Sequence, residues 1–194
     1  MKKAPPEHPL LLFESASDWE AWLKENHENS GGVRLQIAKK GSGHTSITYA
    51  EALDVALCYG WIDGQKLPLD DKFFIQKFTP RRAKSVWSKV NTEKVEQLIK
   101  QGRMQPAGMV QIEAAKADGR WNAAYASQKN MEIPEDFQAE LDKNPEAKAF
   151  FDTLNKTNRF AIYFRITTAK KPETRRARVE KFIEMLTRHE KIYP

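Results

Sequence analysis

The apolar residues of this chain change period along its length, and that change fixes the fold class. Val33, Leu35 and Ile37 alternate with Arg34, Gln36 and Ala38, the two-residue period of a strand with one buried face. Helical spacing flanks it, with Trp19, Trp22 and Leu23 on one face before it and Leu53, Ala56 and Leu57 after it. Phe73 to Phe78 reads as a second strand, and Gln65 to Leu69 as an extended run whose Pro68 belongs at a sheet edge. Beyond Met131 every apolar run returns at helical spacing. The pattern predicts an α+β fold, with a small mixed or antiparallel sheet and helices, followed by an all-helical C-terminal module.

Punctuation residues place the boundaries. Ser17-Asp18-Trp19-Glu20 and Thr48-Tyr49-Ala50-Glu51 have the spacing of capping boxes. Gly60 and Gly102 stand where helices should stop, and Pro106, Pro134, Pro145 and Pro172 where helices should begin. Asn91 and Asn158 read as caps. The polar stretch Tyr125 to Met131 is the boundary, giving a flexible leader over 1–14, an α+β domain over 15–128 and a helical module over 129–194.

Charge is distributed unevenly. Residues 158–194 hold ten Lys or Arg and four Glu, the whole of the chain's net +6, and the first 157 residues are balanced. Such a block marks a solvated face or an anion-binding surface. No run approaches the roughly 20 apolar residues of a membrane span. Leu10 to Phe13 is too short for the apolar core of a signal peptide, and Cys58 is the single cysteine. A cytoplasmic protein without membrane insertion is expected.

Catalytic signatures are missing: there is no P-loop, Gly-x-Ser-x-Gly, His-Glu-x-x-His or Gly-x-Gly-x-x-Gly. His8, His27, His44 and His189 share no metal-ligand spacing, so neither metal nor cofactor is expected. Three constellations remain. In Pro80 to Lys89, Arg81, Arg82, Lys84 and Ser85 are suited to gripping a phosphate or carboxylate, with Trp87 beside them; a solvated loop is the plainer reading. Asp63 follows Trp61 at Gly60 to Gly64, where it serves either as a general base or as a hydrogen-bond acceptor in its own turn. Arg175 falls near the middle of the apolar stripe of Val179, Phe182, Ile183 and Leu186. It therefore needs a carboxylate, a neighbouring helix's carbonyls or an anion as partner.

Two stretches, Ala56 to Gln65 and Phe78 to Asn91, together with Ile133-Pro134-Glu135-Asp136 and Ala169 to Arg178, resemble the bacterial YdeI/OmpD-associated family, also labelled bacteriocin-protection proteins. The resemblance spans roughly residues 10–190. It implies a helical C-terminal module and a link to envelope stress and antimicrobial-peptide resistance; it brings no catalytic residues.

These observations lead to a non-enzymatic stress-tolerance protein that binds a small anionic ligand or an acidic protein surface. Arg81, Arg82, Lys84 and Ser85 grip the anion, Trp61 and Trp87 form apolar walls, and Arg175 closes the site. The alternative is an enzyme acting on a small phosphorylated or carboxylated metabolite with Asp63 as general base. A nucleic-acid binder is the third reading; Glu173, Glu180 and Glu184 among the arginines oppose it.

Overall fold

The computed structural model describes residues 8–194. The first seven residues of the expected leader lie outside the described residues, and within its remainder Leu10–Leu11 forms a short strand, β1. The chain divides into two compact units. One holds the described residues up to Ser85 together with Asn91–Asn122, and the other holds Val86–Val90 and Ala123–Pro194.

The first unit is built on a four-stranded sheet in the order β1-β2-β4-β3, with β2 at Val33–Ala38, β3 at Trp61–Pro68 and β4 at Phe73–Pro80. β1 runs parallel to β2, and the other pairs are antiparallel. The alternation in β2 is realised: Val33, Leu35 and Ile37 are buried and the residues between them half-buried. Its register sets Ile37 opposite Phe74 and Val33 opposite Phe78. The β3–β4 ladder slips between Asp63 and Lys66. The buried Gln76 bridges the irregularity, its side-chain amide donating to the Gly64 carbonyl at 2.9 Å. A strand interrupted by Gly64 would otherwise leave that carbonyl without a ladder partner.

Helices α1 at Ala16–Asn26, α2 at Tyr49–Cys58, α3 at Lys89–Lys100 (from Asn91 onward) and α4 at Pro106–Ala117 complete this unit. The capping box of α1 is Ser15 with Asp18, two residues earlier than Ser17 and Glu20. Thr48 and Glu51 cap α2 as expected. α3 starts at Lys89, ahead of Asn91. The core centres on aromatic rings, with Trp19 and Trp22 stacked at 5.3 Å and Trp61 edge-on to both. The two fully buried indoles have their N–H groups satisfied: Trp19 donates to the Ala52 carbonyl at 3.1 Å and Trp61 to the His27 carbonyl at 3.2 Å. Two glycines set the approach of α4 to the end of α2. Gly60 ends α2 with φ of 73°, and a Cβ at Gly108 would collide with the Cys58 carbonyl oxygen.

The second unit carries α5 at Glu135–Lys143, α6 at Pro145–Thr153, α7 at Lys156–Thr167 and α8 at Pro172–Thr187. Phe137, Leu141, Phe151, Ile162, Phe182 and Leu186 form its core. Asn155, not Asn158, caps α7. Asn158 is instead buried and ties down the C-terminal segment, accepting from the backbone N–H groups of Ile192 and Tyr193 at 3.1 and 3.0 Å. A bridge between Ser88 and Tyr125 joins Val86–Val90 to this unit. No helix of the described residues is long and apolar enough to cross a membrane.

Candidate functional site

The residues singled out in the sequence fall into three settings. Arg81 to Ser85 form one turn after β4. The Ser85 Oγ accepts from the Arg82 N–H at 3.1 Å, and the Ser85 N–H donates to the Arg82 carbonyl at 2.9 Å. Arg120, itself buried, pins this turn: it grips Asp118 at 2.7 Å and donates to the Ser85 carbonyl at 2.9 Å. Arg82 and Lys84 are exposed, whereas Arg81 is buried, with its N–H on the Gly60 carbonyl. Trp61 is 1% exposed and encloses its ring in the aromatic core, so it presents no face to solvent. Trp87 is also buried and belongs, with Arg175, to the other unit.

Asp63 sits on β3, not in a turn of its own. Its carboxylate accepts from the Tyr49 hydroxyl at 2.9 Å, linking β3 to the first turn of α2. Cys58 is buried at the end of α2, where burial pushes its thiol up to about 11. It packs as a small apolar side chain.

Arg175 takes both of its internal options at once. Its guanidinium binds Asp136 in a fork, with distances of 2.6 and 2.7 Å, and also reaches the Ile166 carbonyl at 3.4 Å. The fork holds the Asp136 carboxyl below the usual carboxylate range, chiefly through the hydrogen bonds from Arg175. Arg178 donates to the Arg165 carbonyl, and Arg159 caps the end of α6 through the carbonyls of Leu154 and Asp152. Three of the ten cations in the basic tail, Arg159, Arg175 and Arg178, are therefore committed to carbonyls near helix C-termini, where cations are favoured. The two clefts beside Arg175 are not basic. One of about 370 Å³ sets Lys89 and Arg175 against Glu132 and Glu135. The other, of about 440 Å³, sets Arg175 and Arg176 against Asp136, Glu140 and Glu180.

A cluster of lysines whose clefts have no acidic lining residue among those described lies elsewhere, at the end of the sheet in the first unit. Two adjoining clefts, of about 480 and 460 Å³, share Lys39, Lys40 and Phe74. Lys66, Leu67 and Pro68 of β3 line the first. The loop Gly41 to His44 and the start of α2 line the second. None of the described residues lining either cleft is acidic. Lys66 lies over the Phe74 ring at 4.0 Å, and Lys39 donates to the Asp70 main-chain carbonyl at 2.7 Å, near enough for its charge to favour the ionised Asp70 carboxylate. Tyr49, which holds Asp63, lines the same groove. Three lysines and His44 around an apolar floor attract anions, and each cleft has the size of a small-molecule site. The sequence passes over this loop as a connection. Its signal was two lysines running into Gly-Ser-Gly between a strand and a helix cap.

Similarity to known proteins joins the two units to families. Residues 130–189 match a family model described as bacteriocin-protection, YdeI or OmpD-associated. Those residues form a domain of that family. This YdeI/OmpD-associated domain takes in all of α5 to α8. Residues 11–111 match a domain of unknown function, DUF8412, and the lysine-lined groove falls wholly within that match. No curated protein and no solved structure matches the chain.

Proposed function

We propose that this protein is a non-enzymatic stress-tolerance protein, contributing to protection against bacteriocin-type peptides, that binds a small anionic ligand in the groove formed by Lys39, Lys40 and Lys66. The observation that carries the reading is the charge of that groove: three lysines and no acidic group among the described residues lining it. A small anion entering there offsets like-charge repulsion, and Phe74, Leu67 and Pro68 supply apolar surface beside it. The family supplies the biological context. Arg82 and Lys84, exposed on the turn after β4, remain a second place where an anion could dock.

The test is a thermal-shift screen against inorganic phosphate, phosphorylated metabolites and carboxylates. A ligand at 100 times its dissociation constant stabilises the fold by about 2.7 kcal/mol, a readily measured rise in melting temperature. The triple variant Lys39→Ala, Lys40→Ala, Lys66→Ala loses the shift, and Arg82→Ala with Lys84→Ala keeps it. The opposite pattern moves the site to the turn after β4. The same triple variant fails to restore bacteriocin tolerance to cells that depend on the protein.

A second reading, an enzyme with Asp63 as general base, draws on one observation: the Asp63 carboxylate is held by a tyrosine that lines this groove. Turnover of a groove ligand, abolished by Asp63→Asn, would favour it over simple binding.

A further inference from the structure

The lysine groove has more chemistry than a general preference for anions. It contains lysines and hydroxyl groups but no arginine among the described residues that line it. An arginine fork would match carboxylate and phosphate alike, whereas lysine ammonium groups act as point charges that serve phosphoryl groups together with backbone amides. The loop after β2 supplies the second element. Gly41 and Gly43 both hold positive φ, at 81° and 74°, and a Cβ at either would meet nothing within 4 Å. These glycines therefore serve the path of the backbone rather than the packing of neighbours. Among the described residues, the amides of Gly41, Gly43 and His44 make no hydrogen bond within the chain. A glycine-rich turn with available amides is a recurrent anion concavity.

The loop is also pinned at both ends. Lys39 N–H donates to the Lys72 carbonyl at 2.7 Å, and Ser46 Oγ accepts from Ala38 N–H at 2.8 Å while donating to the Ile47 carbonyl at 2.9 Å. At its centre the Ser42 Oγ is shielded from solvent and has no hydrogen-bond partner among the described residues. A shielded hydroxyl without a partner is costly in a chain alone and is relieved by an acceptor oxygen placed beside it. Lys39, Lys40 and Phe74 then connect this polar end to the cleft floored by Leu67 and Pro68, where Leu67 is 37% exposed.

We propose that the groove is a phosphomonoester site. The phosphoryl group sits against the Gly41 to His44 loop and the ammonium groups of Lys39 and Lys40. An apolar or aromatic substituent lies on Phe74, Leu67 and Pro68. The assignment rests on the anion-binding reading above and narrows it to a ligand class.

Calorimetric titration of the full chain at fixed ionic strength with phenyl phosphate, inorganic phosphate and benzoate separates the two claims. Phenyl phosphate binds on the order of tenfold tighter than inorganic phosphate, because its ring leaves water, and tighter than benzoate by a similar factor. Ser42→Ala weakens both phosphates several-fold and leaves benzoate unchanged. Lys39→Ala with Lys40→Ala removes binding of all three, and its unchanged melting curve shows that the fold survives. Benzoate binding as tightly as phenyl phosphate overturns the phosphoryl assignment while the anion reading stands. Inorganic phosphate matching phenyl phosphate overturns the apolar half. Failure of every anion to bind removes both the assignment and the reading beneath it.

Discussion

Cys58 shows how the environment of one atom sets its chemistry. Burial at the end of α2 raises its thiol to about 11, above the range of a free cysteine. At pH 8 the thiolate, which is the reactive form, is depleted, so the folded protein reacts with a disulfide reagent on the order of a hundredfold more slowly than the denatured chain. A native rate equal to the denatured one would contradict the packing of α2. The Asp136–Arg175 fork makes a second prediction at this scale. The Asp136 carboxyl is held below its ordinary value, so its stabilisation is present above about pH 4 and is lost as pH falls through the lowered value. Both side chains are about a third or more exposed, which limits the contribution. Asp136→Asn should cost about 1 kcal/mol at pH 7, and denaturation midpoints of the two proteins should converge in strong acid.

At the scale of elements, close approach and caps decide where helices lie. Gly108→Ala forces a methyl group onto the Cys58 carbonyl oxygen, and a loss of about 1–3 kcal/mol in chemical denaturation is expected. Ser15→Ala should cost about 1 kcal/mol, whereas Ser17→Ala should cost little, because Ser15 provides the cap. Both serines have a carboxylate three residues on, Asp18 and Glu20, so spacing alone does not choose between them. Thr48 with Glu51 had no such rival and was legible. So were β2 and the stop at Gly60, where one pattern excludes alternatives. β1 was not, since two residues carry no period and its pairing with β2 is a long-range fact.

Across the whole molecule, the density of charge in the sequence and the density of unpaired charge in the fold are different quantities. The +6 of residues 158–194 is what a reader of the chain sees first, yet Arg159, Arg175 and Arg178 are engaged by carbonyls and a carboxylate. The first 157 residues are neutral overall and still hold a groove of three lysines. Lys39 and Lys40 follow β2, and Lys66 reaches over Phe74 because the β3–β4 register, including its slip near Gly64, sets them side by side. Registers of this kind depend on tertiary pairing, so the groove could not be assembled from spacing. The turn from Arg81 to Ser85, by contrast, was legible because its cations are contiguous. Backbone amide chemical shifts during a phenyl phosphate titration test the central claim most directly. Saturable changes concentrated at Lys39 to His44, Lys66 and Phe74 are the result expected; changes confined to Arg81 to Ser85 or to the start of α8, or none at all, would contradict it.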